Sequence, residues 1–299
     1  MTATEHDTGF APETSSTLDD AYERLESTGF ELPNGFVNHA PMACEALAAL
    51  GLLEEVDAWS RRYAMTTGAR VNPVDDDSFE WEEALGDYRR LPEWIAYFSK
   101  RIDDRGWQEV VSSSVPRLLP SLSTALFHGA IRAGHAVRAI AATDTAPRRS
   151  ELSRSLAFWA ARYRPGQEIG PTVEITDARR QITMAAAAGA RHYLASPNIL
   201  HLHGVTGAMA VELFVGHIGD DAVGLGLAQI AAEHAALYRG TTPVGRVEEG
   251  AGVESSVFEI AAASGDPHQV KLVEACRRGF DTTGDPSFVA AAKTVVGAR

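Results

Sequence analysis

Residues 121–142, SLSTALFHGAIRAGHAVRAIAA, decide the fold class. Small and apolar side chains lie on several sides of this stretch when it is wound as a helix, so no polar face wide enough for solvent remains. A central helix from about Ser121 to Ala142, buried on most sides, is therefore expected, with Pro116 and Pro120 breaking the helical pattern that precedes it. Outward from this segment, Ala, Leu, Arg and Glu recur at three- and four-residue spacing, and period-two alternation is almost absent. The chain reads as all-α.

Local signals divide the rest into helices. Thr17-Leu18-Asp19-Asp20 has the form of a cap with an acidic first turn, and Asn38 can cap a helix that carries Pro41 near its start and ends at Gly51. Leu52 to Tyr63 follows, and the Pro/Asp/Gly-punctuated stretch Val71 to Asp87 is a loop with one helical turn around Glu82. Further helices are expected at Glu151 to Arg162, Asp177 to Ala190, Val205 to Val215, Val223 to Tyr238, Ser255 to Ala263, Pro267 to Arg278 and Pro286 to Val296. Residues 1–16 are expected to be a flexible tail and residues 17–299 a single helical domain, whose weakest candidate boundary is Thr143 to Ser150.

Composition narrows the function. The 299 residues are 45% hydrophobic, enough for a substantial core, and 40 acidic against 27 basic residues give a formal charge of -13. No basic run exists to neutralise phosphates, so neither nucleic acid nor an anionic membrane surface is expected as a partner. Cys44 and Cys276 both sit in apolar helical segments, which excludes a disulfide scaffold and suits a reducing cytoplasm. No basic-then-apolar start and no apolar run of ~18 residues is present, so secretion and membrane spanning are not expected. Gly224-Leu225-Gly226 and Gly250-Ala251-Gly252 lack the third glycine of a dinucleotide fingerprint, and no histidine has a Glu three residues before it, as di-iron bundles require.

The histidines stand out. His39, His128, His135, His201, His203 and His268 occupy small or apolar surroundings, where a charged imidazolium is costly. Each alone reads as a hydrogen-bonded core residue, but several neutral imidazoles in one all-α domain are most simply satisfied together by a metal. His128 and His135 point to nearly the same side of a helix yet lie ~10 Å apart along it, so only one of the two is a ligand candidate. His268 and Lys271 project side by side on a helix capped by Asp266, and Lys271, one of three lysines, has the apolar neighbours Val270, Leu272 and Ala275. A lysine so placed either snorkels to the surface or takes part in a buried site.

With these residues assembled, the chain resembles the questin oxidase-like family in its shorter bacterial form. The blocks carrying the resemblance are Asn38-His39-Ala40-Pro41-Met42 with Glu45-Ala46-Leu47, Phe127-His128-Gly129-Ala130-Ile131-Arg132 with Ala133-Gly134-His135-Ala136, His203-Gly204-Val205-Thr206, and Asp266-Pro267-His268-Gln269-Val270-Lys271. The resemblance implies an oxidoreductase that activates dioxygen at an iron held by four histidines and a carboxylated lysine. Carried over by motif, the ligands are His39, His128, His203, His268 and Lys271. A lysine carbamate suits that role because it turns a cationic amine into an anionic oxygen donor.

The implied function is a mono- or dioxygenase that cleaves or inserts oxygen into an aromatic polyketide, a phenol or quinone of the anthraquinone type. Fe(II) is the expected cofactor, with NADPH required only for a Baeyer–Villiger-type variant. Arg132 and His135 are the expected catalytic pair, Arg132 binding a phenolate and His135 taking its proton, with Trp94, Trp159 and Tyr163 as candidate pocket aromatics. Arg132 stands where the family looks more His-like. The rival reading is a non-catalytic helical protein that holds a hydrophobic metabolite, and metal content separates the two.

Overall fold

The computed structural model describes residues 12–32, 35–65, 69–74, 80–248 and 252–298. Among them are fourteen α-helices and no β-strand, in the order α1 (Pro12–Glu26), α2 (Ala40–Ala49), α3 (Leu53–Ala64), α4 (Trp81–Ala84), α5 (Leu91–Arg105), α6 (Trp107–Leu118), α7 (His128–Ala142), α8 (Ala146–Ala161), α9 (Ala178–Ala195), α10 (Ile199–Glu212), α11 (Asp220–Leu237), α12 (Ser255–Ser264), α13 (Pro267–Thr283) and α14 (Pro286–Val295). No helix among the described residues is long and apolar enough to cross a membrane. One hydrophobic core runs from Leu18 on α1 to Ala292 on α14.

The expected central helix is α7, and every residue from His128 to Val137 is buried. It begins seven residues later than its composition suggested. The chain leaves a short 3-10 turn at Leu119–Ser121 and passes through Ala125, Leu126 and Phe127 with φ of 50, 56 and 65° before α7 starts. Left-handed backbone costs ~1–2 kcal/mol per non-glycine residue, so tertiary packing must hold it. Gly207 on α10 provides the seat, because a Cβ there would lie 2.4 Å from the Phe127 ring. Gly129 works similarly at the next turn, where a Cβ would meet the Trp159 indole of α8 at 2.6 Å. Small residues thus draw α8 and α10 close against α7.

Other boundaries shift for identifiable reasons. α1 starts at Pro12, so Thr17 lies inside it and does not cap it, and residues 12–16 of the expected tail are helical. Residues 1–11 of that tail, and residues 75–79 of the expected loop, lie outside the described residues. Pro116 does not break α6, since a proline in the last turn forfeits only one helical hydrogen bond before the helix ends at Leu118. α10 begins at Ile199, where Asn198 accepts from the His201 amide at 2.9 Å, which places His201 and His203 inside a helix and not before one. Only Thr143 to Thr145 separates α7 from α8, and Arg148 beyond it is fully buried, donating to Asp19 at 2.6 Å and to the Ala139 carbonyl at 2.7 Å.

Candidate metal centre

Four helix starts converge on one point. His39 precedes the first residue of α2, His128 is the first residue of α7, His203 lies in the second turn of α10, and His268 is the second residue of α13. Local chemistry sets each start. Asn38 accepts from the Ala40 amide at 3.0 Å while its amide group donates to Gly29 and Thr28, which fixes the entry to α2 beside His39. Asp266 accepts from the His268 amide at 2.9 Å, as expected of the cap of α13.

The four imidazoles form a closed ring. Successive ring centroids are 4.6 Å apart for His39 and His128, 4.7 Å for His128 and His203, 5.3 Å for His203 and His268, and 4.6 Å for His268 and His39. One ligand atom from each lies within 4.8 Å of all the others. His39, His128 and His203 are buried, and His268 is partly exposed.

Hydrogen bonding at the far side of the rings decides what the near side can do. Nδ1 of His128 faces the Ala125 carbonyl at 2.6 Å, Nδ1 of His203 the Ile199 carbonyl at 2.7 Å, and Nδ1 of His268 the Asp266 carboxylate at 2.9 Å. These acceptors require the proton on Nδ1, which leaves three Nε2 lone pairs turned inward. The left-handed turn thus has a chemical purpose, since it presents the Ala125 carbonyl to His128. Nε2 of His128 lies 2.7 Å from that of His39 and 3.2 Å from that of His203. A single proton on His39 can satisfy only one of the three lone pairs; a cation at the centre satisfies all of them.

Protonation does not relieve the ring. Burial, followed by the charge of Lys271, holds His39 and His128 well below the ordinary histidine value and brings His203 to about 3. Lys271 is itself 1% exposed, its Nζ has no hydrogen-bond partner among the described residues, and burial pushes it down to about 7. A buried amine whose charged form is penalised, beside four converging imidazoles, fits a metal site. It does not fit a satisfied polar core, where an orphaned buried amine costs ~1–3 kcal/mol. The four histidines can hold a metal ion, and the Lys271 amine is a buried donor left without a hydrogen-bond partner among the described residues.

Arg132 and His135 do not join them. Arg132 forms a two-pronged ion pair with Glu151 of α8, at 2.6 and 2.8 Å, and its guanidinium covers the Phe30 ring. His135 bonds Glu45 of α2 at 2.5 Å, and Arg138 grips the same carboxylate at 2.7 and 2.5 Å while reaching Glu274 of α13. Neither residue is among those lining the cavity, and each binds a carboxylate of a neighbouring helix: Glu151 for Arg132 and Glu45 for His135. Trp94 and Trp159 are fully buried core residues, and Tyr163 lies outside the cavity lining.

The cavity that reaches the histidines has a volume of about 460 Å³. Its lining includes His39, His128, His203 and His268 together with Phe36, Val37, Leu126 and Ile199, and the arginines present are Arg162 and Arg164. Sequence reasoning missed Arg162 and Arg164 because they lie in a loop with no motif. It also missed the carbonyl partners of His128 and His203, which no sequence pattern encodes. Asp266 was visible through its spacing to His268, as a cap if not as an imidazole partner.

A comparison with curated proteins finds no match. Residues 36–142, which carry His39, the left-handed turn, His128 and all of α7, match the family model described as questin oxidase-like, the same family that the histidine and lysine motifs resemble.

Proposed function

We propose that this protein is a metal-dependent oxidoreductase, an oxidase or oxygenase acting on an aromatic polyketide-type substrate, with iron held by His39, His128, His203, His268 and a carbamate on Lys271. The observation that carries this reading is the convergence of four imidazoles, three of which have Nδ1 partners that leave the Nε2 lone pair free. The match of residues 36–142 supports the reaction class. Iron held by these residues would supply the activation of dioxygen, a chemistry that amino-acid side chains do not perform by themselves.

The chain's own residues do the rest. The amine of Lys271, whose neutral form is favoured because burial penalises the ammonium, adds to the carbon of CO2 and loses a proton, giving an anionic oxygen donor. The carbonyls of Ala125 and Ile199 and the Asp266 carboxylate hold the imidazole planes and tautomers in place. Phe36, Val37, Leu126 and Ile199 offer an apolar lining against which a fused aromatic ring system excludes water.

Two measurements test the reading. Incubation of the iron-reconstituted protein with anthraquinones and related phenols under labelled dioxygen is expected to yield a labelled product; unlabelled, unchanged compounds that nevertheless bind tightly would replace it with the metabolite-binding reading. Labelled bicarbonate is expected to give a carbamate carbon resonance that disappears in Lys271→Ala, and its absence from the wild-type protein removes the lysine from the donor set.

A further inference from the structure

Arg164 stands out among the charged residues that line the histidine cavity. The only carboxylate in that lining, Glu31, pairs with Arg162, whose guanidinium also lies 3.8 Å over the Tyr88 ring. Arg162 is therefore spoken for on both counts. The exposed guanidinium of Arg164 has no hydrogen-bond or ion-pair partner among the described residues. Of the two arginines that line this cavity, Arg164 is thus the one whose charge is uncompensated among the described residues, on a protein of net charge -13.

Its backbone is held with unusual care for a loop. The Thr124 hydroxyl and the Arg164 peptide exchange hydrogen bonds in both directions at 3.1 Å, the Gly166 amide donates to the Pro120 carbonyl at 2.7 Å, and the Gln167 amide donates to Glu233 at 2.9 Å. Glu233 is a buried carboxylate that Gln229 also holds, at 2.9 Å. Thr124 is in turn one residue before the left-handed turn that presents His128. The loop bearing Arg164 and the turn bearing His128 are thus parts of one hydrogen-bonded unit, so the backbone from which the cation projects keeps a fixed relation to the histidine ring.

We infer that Arg164 is a specificity-determining residue: it binds an acidic group, a carboxylate or an ionised phenol, on an otherwise apolar fused-ring ligand whose rings occupy the lining formed by Phe36, Val37, Leu126 and Ile199. This rests on the proposed function for the nature of the ring system. It adds that ligands are selected by one negative charge, read at the cavity and away from the histidines. A guanidinium suits both groups, since it accepts a carboxylate through two donors and a phenolate through one.

Binding can be read without turnover, by quenching of tryptophan fluorescence in the metal-loaded protein under anaerobic conditions. The probes are anthraquinone-2-carboxylate against its carboxamide, and 2-hydroxyanthraquinone, ionised at mildly alkaline pH, against its methyl ether. The wild-type protein is expected to prefer the anion of at least one pair by roughly tenfold or more, with a preference that shrinks as salt is added. Arg164→Gln should abolish that preference and leave affinity for the neutral partner unchanged, and Arg164→Lys should restore part of it. The pair that shows the effect identifies the acidic group. An anion preference that survives in Arg164→Gln, or no preference in the wild type, overturns the inference while leaving the proposed function intact. Failure of all four compounds to bind overturns both. Arg164-dependent binding of compounds that are never oxidised upholds the inference and removes the oxygenase reading.

Discussion

The helices that carry the histidine ring also carry a second buried polar cluster, and the two are built on opposite principles. In the second cluster, Glu45 of α2 is gripped by His135 and Arg138 of α7, Arg138 reaches Glu274 of α13, and Arg278 joins Glu274 to Glu212 of α10. Every carboxylate there meets at least two cationic or imidazole partners. In the histidine ring, three lone pairs face one another and the Lys271 amine has no partner among the described residues. Both clusters tie α2, α7, α10 and α13 together. In one every carboxylate is paired; in the other donors are left without partners among the described residues, and that difference marks the candidate metal site.

The comparison breaks most sharply in the charge network. Glu274→Gln leaves Arg138 and Arg278 without their full counter-charge in a buried position, and a loss of about 3–5 kcal/mol is expected in urea unfolding of the metal-free protein. His203→Ala, equally buried, should destabilise the metal-free protein far less, because it relieves a lone-pair contact. Metal reverses the ranking. An ion at a hundred times its dissociation constant should stabilise the wild type by about 2.7 kcal/mol, and His203→Ala or His128→Ala should lose tenfold or more in metal affinity, whereas His192→Ala should bind normally. Equal metal titrations for all three variants would contradict the contrast.

The next effect concerns the turn that aims His128. Gly207→Ala drives a methyl group into the Phe127 ring, and a cost of about 1–3 kcal/mol is expected, together with weaker metal binding because the Ala125 carbonyl moves with Phe127. A stability loss with unchanged metal affinity would uncouple the turn from the site.

The most gradual effect is a pH dependence. Burial opposes ionisation of Glu45 and Glu274, but Arg138 on both, with His135 on Glu45 and Arg278 on Glu274, holds the two carboxyl groups below their ordinary value of 4.5. Depressed folded-state values mean that this stabilisation is fully present above about pH 4.5 and is lost as pH falls through the folded values. The slope is at most about 1.4 kcal/mol per pH unit for each group. Unfolding of the metal-free protein between pH 3 and 6 should show the decline, and Glu274→Gln should flatten it.

How much of this was legible in the sequence follows the same division. Helix periodicity marked α7 as buried, and the Asp266 cap with His268 and Lys271 one turn apart marked the start of α13, because those signals are local. The family blocks brought His39, His128 and His203 together with them. The ion pair of Arg132 was not legible because its partner, Glu151, lies on another helix and nothing near Arg132 announces it. The start of α7 was misplaced for a similar reason: a residue on α10, Gly207, decides the backbone of Phe127. Arg164 was invisible because its importance is the absence of a partner in three dimensions.

The central claim is that the histidine ring exists to bind a metal. X-ray absorption at the metal edge, on protein purified without chelators or reconstituted with Fe(II), tests it most directly. About one iron per chain is expected, with about four imidazole nitrogens and an oxygen donor in its first shell, and with the imidazole scattering diminished in His203→Ala. Folded protein that retains no metal after reconstitution, or a metal surrounded by water oxygens alone, would contradict it.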